Sequence, residues 1–219
     1  MIRGVIFDMD GVLLDSEPAT AVISVRGMAE FGIEAKPEDF REFCGMGERR
    51  YFGGVAEKYG KQYTLEMAKR IYEIYARDAK KELILFDGVP EIIRTLCARG
   101  YKIAIASGSL PIKVNTNIEA AGLPVECFSA VVTAADVSKQ KPNPEIFLTA
   151  AEKMGLSPEE CIVCEDAVSG VTGAVAGGMQ VLGITTTFPA ERLVDLGAHW
   201  TSDHISKLLE LLPDLSTSI

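Results

Sequence analysis

Short apolar runs rich in β-branched residues recur along the chain, and their alternation with helical patterns limits the fold more than any other feature. The runs are GVIFD (4–8), KIAIAS (102–107), AVVTA (130–134), CIVCE (161–165) and QVLGIT (180–185). Because each run is continuously apolar, it is typical of a parallel strand buried on both faces. Helical patterns lie between the later runs, at 90–100, 111–122, 143–155 and 167–178. This order predicts an α/β fold with a doubly wound, Rossmann-like parallel sheet.

Residues 16–85 interrupt the alternation. This stretch contains no convincing strand, and its helix-like segments, around 18–31, 47–59 and 64–80, are separated by glycines. We therefore expect a core formed by residues 1–15 and 86–219, with an α-helical cap of residues 16–85 inserted after the first strand. Ligands of open α/β sheets bind outside the carboxyl ends of the strands, so a cap inserted at that edge is expected to close over the site.

The net charge of the chain limits the classes of molecule that it is expected to bind. The chain has 219 residues, 47% of them hydrophobic, and a formal net charge of -9. A negative protein repels nucleic-acid phosphates and anionic lipids, so we expect neither as a partner. No apolar stretch approaches the ~20 residues of a membrane span, and no leader peptide is expected before the first strand. We expect a monomer in the cytoplasm, or in an organelle stroma if a longer precursor was trimmed.

The cysteines point to a reducing compartment. There are five of them, an odd number at scattered spacings, which does not suggest a disulfide framework. Cys161 and Cys164 form a C-x-x-C pair inside an apolar run, which favours buried strand residues over redox or metal chemistry. His199 and His204 are the only histidines and lie far from the acidic clusters, so we expect structural or exposed roles for both.

Four polar clusters lie where the predicted strands end. They are Asp8-Met9-Asp10-Gly11, Ser107-Gly108-Ser109, Lys141 in KQKPNPEIF, and Glu165-Asp166. Each has an ordinary interpretation: acidic loop residues are usually solvated, a serine often caps a helix, and a single lysine is usually exposed. Adjacent carboxylates at the end of a buried strand repel each other unless a cation lies between them, and Mg²⁺ prefers such hard oxygen ligands.

Taken together, the motifs FDMDGVLLDSE, IASGS, KPNPEIF and VCEDAVSGV resemble those of the haloacid dehalogenase superfamily, and the resemblance covers essentially the whole chain. Within the superfamily the chain is similar to the phosphatases and β-phosphoglucomutases that carry a helical cap. The resemblance implies a Mg²⁺-dependent phosphatase that hydrolyses a small phosphate monoester, such as a sugar phosphate, through an aspartyl-phosphate.

The resemblance also implies a role for each motif residue. Asp8 would be the nucleophile, and Asp10 the acid that protonates the leaving alcohol and later activates water. Ser107 and the N–H of Gly108 would hold a phosphoryl oxygen, and Lys141 would steady the nucleophile and the phosphoryl group. The metal would be bound by Asp8, the backbone carbonyl of Asp10 and Asp166 directly, and by Glu165 through water or from farther away.

The predicted cap departs from the mutase pattern. Thr20 stands where the mutases have a histidine, and Cys44 stands where their phosphate clamp has a lysine. Glu17, and Arg49 or Arg50, are the cap candidates for substrate contact. Alternatives to the phosphatase are a phosphosugar mutase, a metal-independent dehalogenase, a phosphate-accepting receiver, and a catalytically weak domain with a binding or regulatory role.

Overall fold

The computed structural model describes residues 1–43 and 47–216. Contacts divide the chain into two units. The first, here called the core unit, contains residues 1–14, 85–110 and 122–219, and the second, here called the helical unit, contains residues 15–84 and 111–121. The expected junctions, after residue 15 and before residue 86, differ from these by one residue each.

A six-stranded parallel sheet forms the centre of the core unit. The strands are β1 (Gly4–Phe7), β4 (Lys102–Ala106), β5 (Phe128–Val132), β6 (Cys161–Glu165), β7 (Gln180–Ile184) and β8 (Trp200–Ser202). They lie in the order β5-β4-β1-β6-β7-β8, and every neighbouring pair is parallel. The predicted α/β class is confirmed. The apolar runs did not predict β8, because this strand is half-buried at the edge of the sheet and its sequence has no apolar run.

Helices connect the strands, as the alternation predicts. Those of the core unit are α4 (Val89–Ala98), α6 (Glu145–Met154), α7 (Val168–Ala176), α8 (Ala190–Asp195) and α9 (Leu208–Leu211). An apolar core joins the sheet to α6, α7 and α8 and includes Ile6, Phe147, Val163 and Val181, all fully buried. The helix α6 begins where the side chain of Asn143 accepts a hydrogen bond from the N–H of Glu145, after a cis Lys141–Pro142 peptide.

The helical unit contains α1 (Glu17–Ala29), α2 (Glu48–Lys58) and α3 (Leu65–Asp78), together with a 3-10 segment at Pro37–Phe43. Thr64 caps α3 by accepting a hydrogen bond from the N–H of Met67. The helical unit has an apolar core of its own, which includes Ile23, Phe52 and Ile71. Two short strands, β2 (Leu14–Asp15) and β3 (Ile84–Leu85), pair in a small sheet where the chain enters and leaves this unit.

The helix α5 (Pro111–Ala120) groups with the helical unit, although the sequence assigned its residues to the core. The buried hydroxyl of Tyr75 in α3 donates a hydrogen bond of 2.7 Å to Oδ1 of Asn117 in α5. Val114 and Ile118 of α5 are also buried. The pattern of strands and helices cannot reveal this assignment, because it depends on which surface α5 packs against.

No helix within the described ranges has both the length and the apolar character needed to cross a membrane.

Candidate active site

Strand order brings the four polar clusters to one edge of the core sheet. The strands β4, β1 and β6 are neighbours, and Ser107, Asp8 and Asp166 follow their last residues. Glu165 is itself the last residue of β6. Lys141 comes from the loop between β5 and α6. Because parallel strands end at the same edge, residues that are distant in sequence become neighbours here.

Lys141 joins two carboxylates at this edge. Its Nζ donates to Oδ1 of Asp8 and to Oε1 of Glu165, each at 2.5 Å, and its side chain is 11% exposed. The ammonium also lies 4.9 Å from the ring centroid of Phe147 in α6. Burial lowers the pKa of Lys141, but Asp8 and Glu165 more than offset this effect, so the pKa lies above its ordinary value. Lys141 is therefore a held cation rather than a mobile surface group.

The loop that carries Lys141 is held by Glu145 at the start of α6. The Glu145 carboxylate accepts hydrogen bonds from the N–H of Ser138 at 2.7 Å and from the N–H of Lys139 at 3.0 Å. These bonds lower the pKa of Glu145 and keep it ionised. Lys139 has an exposed side chain, so only Lys141 of the two neighbouring lysines reaches the carboxylates.

Asp8 is a buried acid in an unfavourable position for its charge. It is 7% exposed, and its N–H donates to the carbonyl of Cys164 at 3.0 Å, which fixes the backbone between β1 and β6. Burial raises the pKa of Asp8 well above its ordinary value, and repulsion from Glu165, Asp166 and Asp10 acts in the same direction, while Lys141 opposes both effects. A further positive charge close to Asp8 would lower its pKa and favour the ionised form.

Asp166 is held by a threonine hydroxyl from the segment that follows β7. The hydroxyl of Thr187 donates a short hydrogen bond to Oδ2 of Asp166, and that of Thr186 donates to the carbonyl of Gly11 at 2.6 Å. Burial, followed by repulsion from Glu165, raises the pKa of Asp166 to about 7. Asp166 is thus a fixed carboxylate whose ionisation also depends on a nearby cation.

Glycines make room for these acidic side chains at two positions. Gly11 has a φ of +79°, and a Cβ there would lie 2.0 Å from Oδ2 of Asp166. A Cβ at Gly170 in α7 would lie 1.8 Å from Oε1 of Glu165. The glycine of DMDG and that of VSGV are therefore required by the side chains of the CED motif.

Ser107 and its neighbours form the remaining wall of the site. Ser107 is 2% exposed; its N–H donates to the carbonyl of Val132 at 3.0 Å, and its Oγ accepts from the N–H of Ser109 at 3.2 Å. The hydroxyl of Ser109 donates to Oδ2 of Asp10 at 3.3 Å. Gly108 is exposed beside them. A buried hydroxyl and a turn of backbone N–H groups suit an anion.

The donor set fits a divalent cation. Asp8, Glu165 and Asp166 are buried carboxylates, and among the residues that the structure describes only Lys141 forms an ion pair with any of them. A cation bound by Asp8, the carbonyl of Asp10 and Asp166 would offset their repulsion with the oxygen ligands that Mg²⁺ prefers. Within residues 1–43 and 47–216, no group of three or more acidic, histidine or cysteine side chains is arranged to hold a metal ion by itself. Backbone, substrate or water oxygens would therefore complete the coordination.

Glu165 contacts two protein donors, and its expected role as a metal ligand through water or from farther away stays a prediction. Its Oε1 accepts from Lys141, and its Oε2 accepts from the N–H of Ala167 at 2.9 Å. Both oxygens therefore bind protein donors, and the geometry favours Glu165 as the residue that positions Lys141. The sequence did not identify this contact or the bond from Thr187 to Asp166, because no motif marks which hydroxyl or carboxylate packs against a given side chain.

The substrate-contact candidates of the expected cap lie in the helical unit. Glu17 begins α1, and its N–H donates to Oδ1 of Asp15 at 3.0 Å. Arg49 is exposed in α2, whereas Arg50 pairs with Glu57 at 3.0 Å. Cys44, which stands where the mutase pattern has a lysine, lies outside the described residues. Substrate contact by Glu17 and Arg49 stays a prediction.

The sequence predicted structural roles for the cysteines of the C-x-x-C pair and structural or exposed roles for the two histidines. Cys161 and Cys164 are fully buried in β6, as expected for strand residues. The Nδ1 of His199 accepts a hydrogen bond from the N–H of Val181 at 3.2 Å, and the Nδ1 of His204 accepts from the N–H of Ser206 at 3.3 Å. In both cases a ring nitrogen binds a backbone N–H of a nearby segment.

Known proteins share this arrangement of sequence and fold. A family model for haloacid dehalogenase-like hydrolases matches residues 5–184. A crystal structure from Thermotoga maritima, assigned as a β-phosphoglucomutase, is 27% identical and superposes with a TM-score of 0.81, covering 97% of this chain and all of the other.

Two curated relatives extend the comparison. The chain is 39% identical over 211 residues to Protein SUPPRESSOR OF QUENCHING 1, chloroplastic, of Arabidopsis thaliana. The match covers 94% of this chain. The match spans only 20% of that relative, and 48% of another plant relative. Hexitol phosphatase A of Escherichia coli strain K12 is 32% identical over 205 residues, and the match covers 90% of each chain.

Proposed function

The chain belongs to the haloacid dehalogenase-like hydrolase family, and we propose that it is a Mg²⁺-dependent phosphatase acting on a small phosphate monoester. The observation that carries the proposal is the contact of Lys141 with Asp8, 2.5 Å long, beside the buried Asp166. A carboxylate held by a cation, at a sheet edge that also carries a buried hydroxyl, is suited to attack a phosphate rather than a neutral substrate. The relative hexitol phosphatase A is named for this class of reaction.

In the proposed mechanism, Asp8 attacks phosphorus and the ester oxygen leaves, which forms an aspartyl-phosphate. Asp10 protonates the leaving alcohol and then takes a proton from the water that hydrolyses the intermediate. Ser107 and the N–H of Gly108 bind phosphoryl oxygens, and Lys141 offsets the charge that Asp8 and the phosphate bring together. When bound by Asp8, the Asp10 carbonyl and Asp166, Mg²⁺ would supply further charge neutralisation.

The proposed substrate is a small metabolite such as a sugar phosphate. The support is similarity to hexitol phosphatase A over 90% of the chain. We expect this chain not to bind nucleic acid, because its net charge of -9 repels polyanions. For location we propose the cytoplasm or an organelle stroma; SUPPRESSOR OF QUENCHING 1 is named as chloroplastic.

Hydrolysis of p-nitrophenyl phosphate tests the central proposal. The purified chain should release p-nitrophenol with Mg²⁺, lose this activity in EDTA, and regain it when Mg²⁺ is added in excess. Asp8→Asn should abolish turnover because an amide cannot form the covalent intermediate. Asp195→Asn, the same chemical change at an exposed position in α8, is the matched control and should retain full activity.

Two outcomes would contradict the proposal. Turnover that persists in Asp8→Asn with an intact circular dichroism spectrum would exclude the covalent mechanism. Full activity in chelator would exclude the metal and favour dehalogenase-like chemistry. After a positive result, a screen of phosphate esters that begins with hexitol and hexose phosphates would identify the preferred substrate.

A mutase is the second candidate, because the Thermotoga maritima structure assigned as a β-phosphoglucomutase is 27% identical to this chain. The two reactions differ in their products. Incubation of β-glucose 1-phosphate with a trace of the bisphosphate should release inorganic phosphate from a phosphatase. Accumulation of glucose 6-phosphate without phosphate release would assign the mutase instead.

A further inference from the structure

The side chain of Ser109 contacts the residue that acts as the acid in the proposed mechanism. Its Oγ donates a hydrogen bond of 3.3 Å to Oδ2 of Asp10, although 99 residues separate the two in sequence. The register of the core sheet pairs Phe7 of β1 with Ile105 of β4, and Asp10 and Ser109 follow a few residues beyond this pair. The contact therefore results from the parallel pairing of β1 and β4, which brings the loops after both strands together.

The backbone of Ser109 is held by hydrogen bonds that do not involve its hydroxyl. Its N–H donates to Oγ of Ser107 at 3.2 Å, and its carbonyl accepts from the N–H of Ala134 at 3.0 Å. The residue before Ala134 is fixed in turn, because the N–H and the hydroxyl of Thr133 both donate to Oδ2 of Asp136 at 2.9 Å. The loops after β4 and β5 thus set the position of Ser109, and its hydroxyl extends from a fixed backbone.

An acid catalyst needs a defined orientation. To protonate a leaving oxygen, the carboxyl group of Asp10 must point at that oxygen within hydrogen-bond distance. The terminal torsion of an aspartate is broad, so the side chain alone does not fix this direction. A donor bound to Oδ2 restricts the torsion. A separation of 3.3 Å is long for an O–H···O bond, but catalytic hydrogen bonds are often long before substrate binds and shorten in the complex.

We propose that Ser109 is a positioning residue that orients the carboxyl group of Asp10 toward the leaving oxygen of the phosphate ester. The inference rests on the proposed phosphatase function and adds a residue to it. As Asp8 bonds to phosphorus, the ester oxygen keeps the electron pair of the breaking P–O bond and takes the proton of Asp10. The alcohol leaves neutral, and Asp10 becomes a carboxylate to which the Ser109 hydroxyl still donates.

Two esters that differ in their leaving group show whether the acid is oriented. The p-nitrophenolate ion is a weak base that leaves with little need for a proton, whereas the more basic phenolate needs one. Phenyl phosphate and p-nitrophenyl phosphate otherwise have similar shapes, so the ratio of their kcat/KM values reports mainly on protonation of the leaving group. Because kcat/KM excludes steps after release of the first product, the later activation of water by Asp10 does not contribute.

Ser109→Ala removes the hydroxyl and keeps the backbone hydrogen bonds of residue 109. With Mg²⁺ present, it should lower kcat/KM for phenyl phosphate about tenfold more than for p-nitrophenyl phosphate, a part of the roughly 10²–10⁴-fold that a positioned acid contributes. Asp10→Asn removes the acid itself and should shift the ratio further in the same direction. Ser206→Ala, the same change at an exposed position of the core unit, is the matched control and should keep the original ratio.

A double substitution tests whether Ser109 acts through Asp10. If it does, adding Ser109→Ala to Asp10→Asn should leave the ratio at the value of Asp10→Asn alone, because residues that act as one unit are not additive. A further change of the ratio in the double variant would overturn the proposal, since the hydroxyl would then act by another route.

The remaining outcomes separate this inference from the function on which it rests. An equal loss for both esters in Ser109→Ala would mean that the hydroxyl stabilises the fold or binds the phosphoryl group, and would overturn the inference while the phosphatase stands. An unchanged rate for both esters would overturn it as well. If the original chain hydrolyses neither ester, the proposed function fails, and the inference fails with it.

Discussion

The Nζ of Lys141 lies 2.5 Å from Oδ1 of Asp8, although 133 residues separate them in sequence. A second contact of the same length joins Lys141 to Glu165. One ammonium is thereby held between two buried carboxylates, at an edge where Asp166 adds a third. The charges of this group, rather than any single residue, determine how the site responds to substitution.

Lys141→Ala should reduce turnover of p-nitrophenyl phosphate at least about 100-fold, because removing a fixed charge that stabilises a transition state has costs of this order. Asp8 and Glu165 would also lose their shared cation. The measurement is kcat and KM at saturating Mg²⁺. Lys139→Ala, an exposed lysine two residues earlier, is the control and should leave both values unchanged. Equal activity of the two variants would remove Lys141 from the mechanism.

Thr187→Val should weaken activation by Mg²⁺ about tenfold, because groups that orient a metal ligand commonly contribute 10–100-fold to affinity. The valine keeps the shape of the side chain but removes the hydroxyl that donates to Asp166. The readout is the Mg²⁺ concentration at half-maximal rate, with kcat at saturating metal nearly preserved. Thr185→Val, whose hydroxyl donates to the carbonyl of Ser202, should show an unchanged metal requirement.

Gly170→Ala should lower both stability and activity. The added Cβ would lie 1.8 Å from Oε1 of Glu165, so either α7 or the carboxylate that holds Lys141 must move. We expect a loss of about 1–3 kcal/mol in the free energy of unfolding, which is typical of overpacking. Gly53→Ala in α2 is the matched control. Its Cβ would meet Tyr63 at an ordinary 3.5 Å, and a stability equal to or slightly above that of the original chain is expected.

Asp136→Asn should lower stability in a pH-dependent way. Lys153 first, and then Thr133, lower the pKa of Asp136 to about 2. A carboxylate whose pKa is lowered on folding stabilises the protein above its unfolded pKa, about 3.9, and loses that effect as pH falls through the folded value. We expect a difference of about 1 kcal/mol at pH 7, reduced by solvent screening of this partly exposed pair.

Denaturant titrations of the two proteins between pH 7 and pH 3 test this expectation. The difference in the free energy of unfolding should be constant down to about pH 5 and should decline below about pH 4. Asp195→Asn, the same chemical change at an exposed position in α8, is the control for the substitution itself and should leave the free energy of unfolding at pH 7 close to that of the original chain. A difference for Asp136→Asn that grows toward low pH would contradict the prediction.

Local patterns were sufficient for most of the elements. The apolar runs predicted five of the six strands of the core sheet, and the helical patterns at 64–80 and 143–155 correspond to α3 and α6. These patterns succeed because a strand buried on two faces and a helix buried on one must show them in sequence. The edge strand β8 has neither kind of burial, and it was missed.

The site could be anticipated only in part. The sequence placed Asp8, Ser107 and Asp166 at strand ends, and parallel strands of one sheet end at the same edge. It did not show that Glu165 binds Lys141 or that Thr187 binds Asp166. These contacts depend on strand order and on how closely α7 and the segment after β7 approach, which local periodicity does not encode.

The sequence by itself determined the fold class, the edge of the sheet where the polar groups collect, and the chemistry that those groups favour. Only the tertiary structure decided which carboxylates hold the lysine and that α5 packs with the helical unit. The physical reason is that hydrophobic periodicity specifies which face of an element is buried. The partner buried against that face is selected by packing between segments that are far apart in the chain.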